Sequence, residues 1–139
     1  MSVNLDQELM RAHLDLFRAM KHEMKPSSSI TNLTLVQLNA LIFLGDRRDA
    51  HVSDVANYFG IAIPTATVLL DRLTSLGLVQ RVPDKTDRRV IGVVLTKKGE
   101  KLLSKAMKER ENMFKKVFAK LSTKDKNDFL RIMRHIAQN

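Results

Sequence analysis

The chain contains no cysteine. That removes disulfides, thiolate catalysis and cysteine-based redox sensing together. It has no apolar run approaching the roughly 18 residues of a membrane span, so no transmembrane helix is expected. Its first residues, MSVNLDQELMRAHL, lack the basic-then-apolar order of a secretory signal, which makes the cytoplasm the expected compartment. There is no zinc-ligand spacing, no glycine-rich phosphate loop, no Ser/His/Asp order and no paired-carboxylate pattern. These absences argue against an enzyme and predict neither cofactor nor metal. His13 and His22 share a helix but fall on opposite faces at about 100° per residue. His51 and His135 are far away in sequence, so all four are read as surface histidines. Seven methionines are present, and adaptable packing explains them better than a redox switch.

What is present is enough for one packed domain: 139 residues, 44% hydrophobic. The net charge of +9 is unevenly placed. Residues 1–33 and 34–78 are close to neutral. Residues 79–110 carry ten basic against four acidic side chains, and residues 111–139 seven against three. A polyanionic partner accounts for such a localised excess; a solvated basic helix is the plainer alternative.

Residues 5–24 read as a helix, with Leu5, Leu9, Ala12, Leu16, Ala19 and Met20 at three- and four-residue spacing, ended by Pro26. KPSSSITN is then a loop. Thr34 and Gln37 form a capping box that opens LVQLNALIFLG. DRRDAH reads as a polar loop, and VSDVANYFG as a short helix closed by Gly60. IPTATVLLDRLTSLG is a further helix, with Pro64 in its first turn and Gly77 just past its end. LVQRVP (78–83) and RVIGVVL (89–95) are β-prone and joined by DKTD. Thr96 caps a long helix over about 97–119. A last helix follows LSTKD, with Phe129, Ile132, Met133 and Ile136 on one face.

The two helices meeting at Gly60-Ile61 suit helix-turn-helix geometry. In the second, Ala66, Leu69, Leu70, Leu73 and Leu76 form an apolar stripe that must face a core. The opposite side presents Thr65, Val68, Arg72 and Ser75, with Thr67 at its edge. Small side chains let a helix lie deep in a major groove, hydroxyls reach phosphates or base edges, and a valine can touch thymine methyls. An ordinary surface helix of low bulk would look similar. The hairpin favours the first reading. Its turn carries Lys85, Arg88 and Arg89, suited to phosphate and to a minor groove. Asp87, two residues from Arg89 on an extended segment, can hold that guanidinium in a bidentate, pre-aimed geometry. Asp84 suits the first position of a turn.

LLDRLTSLGLVQRVPDKTDRRVIGVVLTKKGEKL resembles the signature of the MarR-type (multiple antibiotic resistance regulator) transcription factors. The matching pieces are Asp71-Arg72-Leu73, Gly77-Leu78-Val79-Gln80-Arg81, Asp87-Arg88-Arg89 and Leu95-Thr96-Lys97-Lys98-Gly99. The resemblance implies a mainly α fold with a small β-hairpin wing, one domain over 1–139. Its DNA-binding winged-helix lobe would span 34–96, flanked by dimerisation helices at 1–24 and 97–139. It also implies an obligate homodimer, a recognition helix in the major groove and a wing arginine, at Arg89, in the minor groove. Many relatives are repressors released by small phenolic or other lipophilic effectors bound between the dimerisation helices and the DNA-binding lobe. Relatives often carry a basic or polar residue where this chain has Val68, so a guanine-reading candidate is missing. Phe17, Met20 and Phe43 could line an effector pocket, or be plain core. A ligand-independent architectural DNA binder and a winged-helix protein-interaction module are the competing readings. The second would not need a basic wing beside a bare-faced recognition helix.

Overall fold

The computed structural model describes residues 4–24 and 33–138; the KPSSSITN loop, Pro26 included, lies outside them. The described residues form α1 (Leu5–Glu23), α2 (Leu35–Gly45), β1 (Ala50–His51), α3 (Val52–Phe59), α4 (Ile63–Ser75), β2 (Val79–Pro83), β3 (Ile91–Leu95), α5 (Lys97–Val117) and α6 (Thr123–Ala137). The expected class holds: mainly α, with a hairpin wing. Two compact units partition the chain, one over Pro26–Met107 and one over Met1–Lys25 with Lys108–Asn139.

In the first unit, the Thr34–Gln37 capping box starts α2. Gln37 N–H donates to Thr34 Oγ1 at 3.2 Å, and Thr34 N–H donates to Gln37 Oε1 at 3.0 Å. Leu38, Ala40, Leu41, Phe43 and Leu44 are buried along that helix. Gly60 (φ +61°) and Gly77 (φ +72°) end α3 and α4 in the left-handed region that a Cβ disfavours. Leu41, Leu44, Val55, Leu70, Leu73, Val79 and Val93 form the almost fully buried centre of the core. Each contributes up to about 1.5–3 kcal/mol by leaving water. They come from five elements, α2, α3, α4, β2 and β3, and the three helices are thereby fixed in rotation about their own axes.

The sheet order is β1-β3-β2, all antiparallel, with register from Val79↔Leu95 to Pro83↔Ile91 in the hairpin. Two expectations need correction. DRRDAH is not wholly a loop: Ala50 and His51 pair with Val93 and Gly92. A two-residue strand has no readable period, and β3 needs a partner on its second edge. The β3 strand also begins at Ile91, not Arg89, so the hairpin turn runs through Val90. The wing aspartates take local backbone N–H groups as partners and hold those residues out of the ladder.

Thr96 joins β3 to α5. Its N–H donates to Leu78 O at 3.0 Å, its hydroxyl donates to Gly77 O at 2.6 Å, and Gly99 N–H returns to its Oγ1 at 3.0 Å. A Cβ on Gly99 would collide with the Leu78 carbonyl oxygen. The L-T-x-x-G spacing is thus a cap followed by a close backbone approach.

In the second unit, Asn4 caps α1 and Ser122 caps α6. Phe118 lies 5.5 Å from Phe114 and 5.4 Å from Phe129, ring centre to ring centre. Neither α1 nor α6 has a buried residue. Leu5, Leu9, Phe17, Ile132, Met133 and Ile136 are exposed.

Candidate nucleic-acid interface

Helix α4 presents the expected sides. Ala66, Leu70 and Leu73 are fully buried, and Leu69 and Leu76 pack partly against the core. Thr65, Val68, Arg72 and Ser75 are exposed, Val68 at 69%, and Thr67 is half-buried. The hydroxyls are less available than the sequence suggests. Thr67 donates to Ile63 O at 3.0 Å and Ser75 to Arg72 O at 2.8 Å. To donate to a phosphate, either must first release a carbonyl of its own helix. At the N-terminus, no side chain caps Ala62 and Pro64 brings no N–H. The first-turn N–H groups are therefore left for an external acceptor, with the helix dipole adding attraction for an anion.

Asp71 on the same helix accepts from Arg81 Nη2 of β2 at 2.5 Å. This pair ties α4 to the root of the wing. Both residues stand in the sequence motif, but no role for them could be read until the fold brought them together.

The wing turn is organised by two carboxylates. Asp84 N–H donates to Val90 O at 2.9 Å across the turn, and Val90 N–H donates to Asp87 O at 3.0 Å. Asp84 Oδ1 accepts from Thr86 N–H at 2.8 Å, Thr86 Oγ1 at 2.7 Å and Asp87 N–H at 3.1 Å. Its Oδ2 meets His51 Nε2 at 3.0 Å. The Thr86 hydroxyl, then the backbone N–H groups of Thr86 and Asp87, then His51 hold this carboxyl far below the usual carboxylate range. Asp87 Oδ1 accepts from Arg89 N–H at 3.0 Å and from Nε at 3.2 Å, with Nη2 at 3.5 Å from Oδ2. The carboxylate and guanidinium thus face each other in a two-point contact made by a turn, where the sequence suggested an extended segment. The Arg89 side chain is 91% exposed and Asp87 43%. Lys85 and Arg88 are also exposed and make no ion pair among the described residues.

His51 is not the plain surface histidine expected. Its side chain is about one-third exposed, and its backbone N–H donates to Asp54 Oδ2 at 2.7 Å, starting α3. The Asp84 hydrogen bond raises its pKa above the ordinary value; desolvation opposes this, and the charges of Asp54 and Asp84 add to the rise. Nothing in the local sequence marks this pairing, because its partners lie 33 positions apart.

The three candidate pocket residues fall in two different units. Phe43 is a core residue of the first unit, its ring stacked 4.5 Å from Tyr58 and 4.7 Å from the Arg47 guanidinium carbon. Phe17 and Met20 lie on α1, in the second unit, with Phe17 exposed. A cavity of about 410 Å³ opens in the first unit between Leu76, Leu78 and Leu102, with Lys98 and Lys101 on its wall. None of the three lines it. Among the described residues no helix is long and apolar enough to cross a membrane, and no group of histidines and carboxylates is placed to hold a metal.

A model of the MarR family matches residues 31–90. The uncharacterized HTH-type transcriptional regulator YfiV of Bacillus subtilis is 30% identical over 95 residues, which is 68% of this chain and 59% of that relative. The chain therefore spans about three-fifths of that relative's length. A MarR family protein from Bacillus stearothermophilus superposes with a TM-score of 0.78 at 27% identity, covering 96% of this chain and 91% of that one. The transcriptional repressor CouR, solved bound to a 23-mer DNA duplex, superposes with a TM-score of 0.72 at 28% identity, over 98% and 93%.

Proposed function

Because the chain belongs to the MarR family, we propose that it is a sequence-specific DNA-binding transcriptional regulator, acting as a dimeric repressor that a small effector releases. The observation that carries this reading is the pairing of a bare-faced α4 with a wing whose Arg89 is exposed yet held by Asp87. Residues 34–96 form the DNA-binding lobe. Val68 and Thr65 enter the major groove, and Arg72 reaches its edge. Lys85, Arg88 and Arg89 meet phosphate and the neighbouring minor groove. Thr67 and Ser75 flank this surface. The solved CouR complex with a DNA duplex supports the partner.

Dimerisation is supported by the apolar side chains that α1 and α6 leave in solvent, which a second copy would cover. An effector is supported by the leucine-walled cavity, whose apolar surface and lysines suit a small lipophilic or phenolic molecule.

Selection from random DNA tests the reading. It should enrich paired half-sites about 10–10.5 base pairs apart, one turn of the duplex. An architectural binder would show no enrichment at matched salt, and a protein-interaction module would retain no DNA; either result overturns the proposal.

A further inference from the structure

The wing has an anchor outside its own strands. The His51 ring lies between carboxylates of two different elements: Asp84 of the wing, 3.0 Å from Nε2, and Asp54 of α3, 3.4 Å from Nδ1. Its strand partner is Gly92, which brings no titratable group. Among the described residues, Asp54 and Asp84 are the charged groups facing the ring. An ionised carboxylate only accepts, so Nε2 must donate to Asp84. A neutral imidazole has one N–H. It keeps that bond only by turning the bare lone pair of Nδ1 toward Asp54. Asp54 Oδ2 also accepts the His51 backbone N–H at 2.7 Å, so Asp54 favours the imidazolium by its charge, and Asp84 by charge and hydrogen bond together.

The bonds continue toward the wing tip. Asp84 Oδ1 fixes Thr86 and the N–H of Asp87, and Asp87 Oδ1 accepts from Arg89 N–H and Nε. We propose that His51 is a positioning residue of the wing: its imidazolium locks Asp84 and, through Asp84 and Asp87, sets where Arg89 points when the wing meets DNA. The role rests on the DNA-binding reading above.

The sign follows from the pairing. Both carboxylates favour the charged ring, and His51 titrates above its ordinary value. The lock is complete below the ordinary imidazole pKa of about 6.5 and is lost as pH rises through the raised value. Affinity for DNA should therefore fall from the neutral toward the alkaline side. Asp84 stays ionised, so deprotonation removes the ring's charge and leaves a weaker bond; a partly exposed ion pair of this kind sets the change at about twofold to fivefold per wing.

The test measures binding of a selected duplex by fluorescence anisotropy from about pH 6 to pH 9, the range that brackets a raised histidine. NMR follows the His51 ring protons over the same range. The lock predicts an affinity midpoint that coincides with the His51 titration. His51→Gln should flatten the profile, since its amide donates at every pH. Asp84→Asn should flatten or reverse it and return the His51 midpoint toward its ordinary value. This NMR reading is available in the parent protein even if a variant folds poorly. Binding whose pH profile is flat, or unchanged in His51→Gln, overturns the lock and leaves the DNA-binding reading standing. No DNA binding at any pH overturns that reading, and this role with it.

Discussion

Arg89 and Asp87 can be separated by substitution because their contributions differ in kind. In the folded protein their contact is exposed, at 91% and 43% of the two side chains. Such a pair adds at most about 1 kcal/mol of stability, so Arg89→Ala and Asp87→Ala should melt within a few degrees of the parent. On DNA the two diverge. Arg89→Ala deletes the cation proposed to meet phosphate or the minor groove. Losing a hydrogen bond from a charged group costs about 1.5–3 kcal/mol, roughly tenfold to a hundredfold per wing. The slope of log affinity against log salt should also flatten by about 0.9 per wing, or about twice that for a dimer. Asp87→Ala leaves the cation in place and removes its aim. The cost is the ordering of one long side chain at the interface, about 0.5–1.5 kcal/mol, or twofold to tenfold per wing, with the salt slope unchanged. Asp87→Asn keeps the acceptor for Arg89 N–H and should fall between. Anisotropy titrations at four salt concentrations give both quantities. Equal losses in the two alanine variants would mean that the aspartate does more than orient, and no loss in either would remove the wing from the interface.

Three further outcomes follow from the same structure. Val68→Ala should lower discrimination by about 1 kcal/mol at one thymine of each half-site and leave binding to other sequences nearly unchanged; repeating the selection with the variant reads this, and guanine at that position in the parent would contradict it. Gly99→Ala must move α5 away from the Leu78 carbonyl, so thermal melting should show a loss near the upper end of the roughly 1–3 kcal/mol typical of overpacking. Ile136→Lys places a charge on the exposed apolar face of α6 and should shift sedimentation toward monomer; a parent protein already monomeric at micromolar concentration would refute the dimer itself.

Helix positions were legible because caps and apolar spacing are local signals. Thr34 with Gln37, Gly60, Gly77 and Thr96 each announce a boundary within four residues, and the structure uses all of them. The buried side of α4 was legible for a similar reason. A stripe of four leucines and an alanine leaves one orientation that hides it. What the stripe could not show was the state of the hydroxyls opposite, since Thr67 and Ser75 bond to carbonyls of their own helix. The two-residue β1 had no period to read.

The wing divides along the same line. That Asp87 could meet Arg89 was readable from two-residue spacing, although a turn, not a strand, makes the contact. That Asp84 is more than a turn residue was not readable, because its second oxygen is used by a histidine 33 positions earlier. The distinction has a mechanical consequence. A hairpin tip held only by its own hydrogen bonds is free to sway with the two strands that carry it. Here β2 is tied to α4 through Arg81–Asp71, and the start of the turn is tied to the start of α3 through Asp84–His51. The wing is therefore fastened near its root to both helices of the helix-turn-helix. Any change that loosens either fastening should reach Arg89 without altering any residue of the proposed DNA interface.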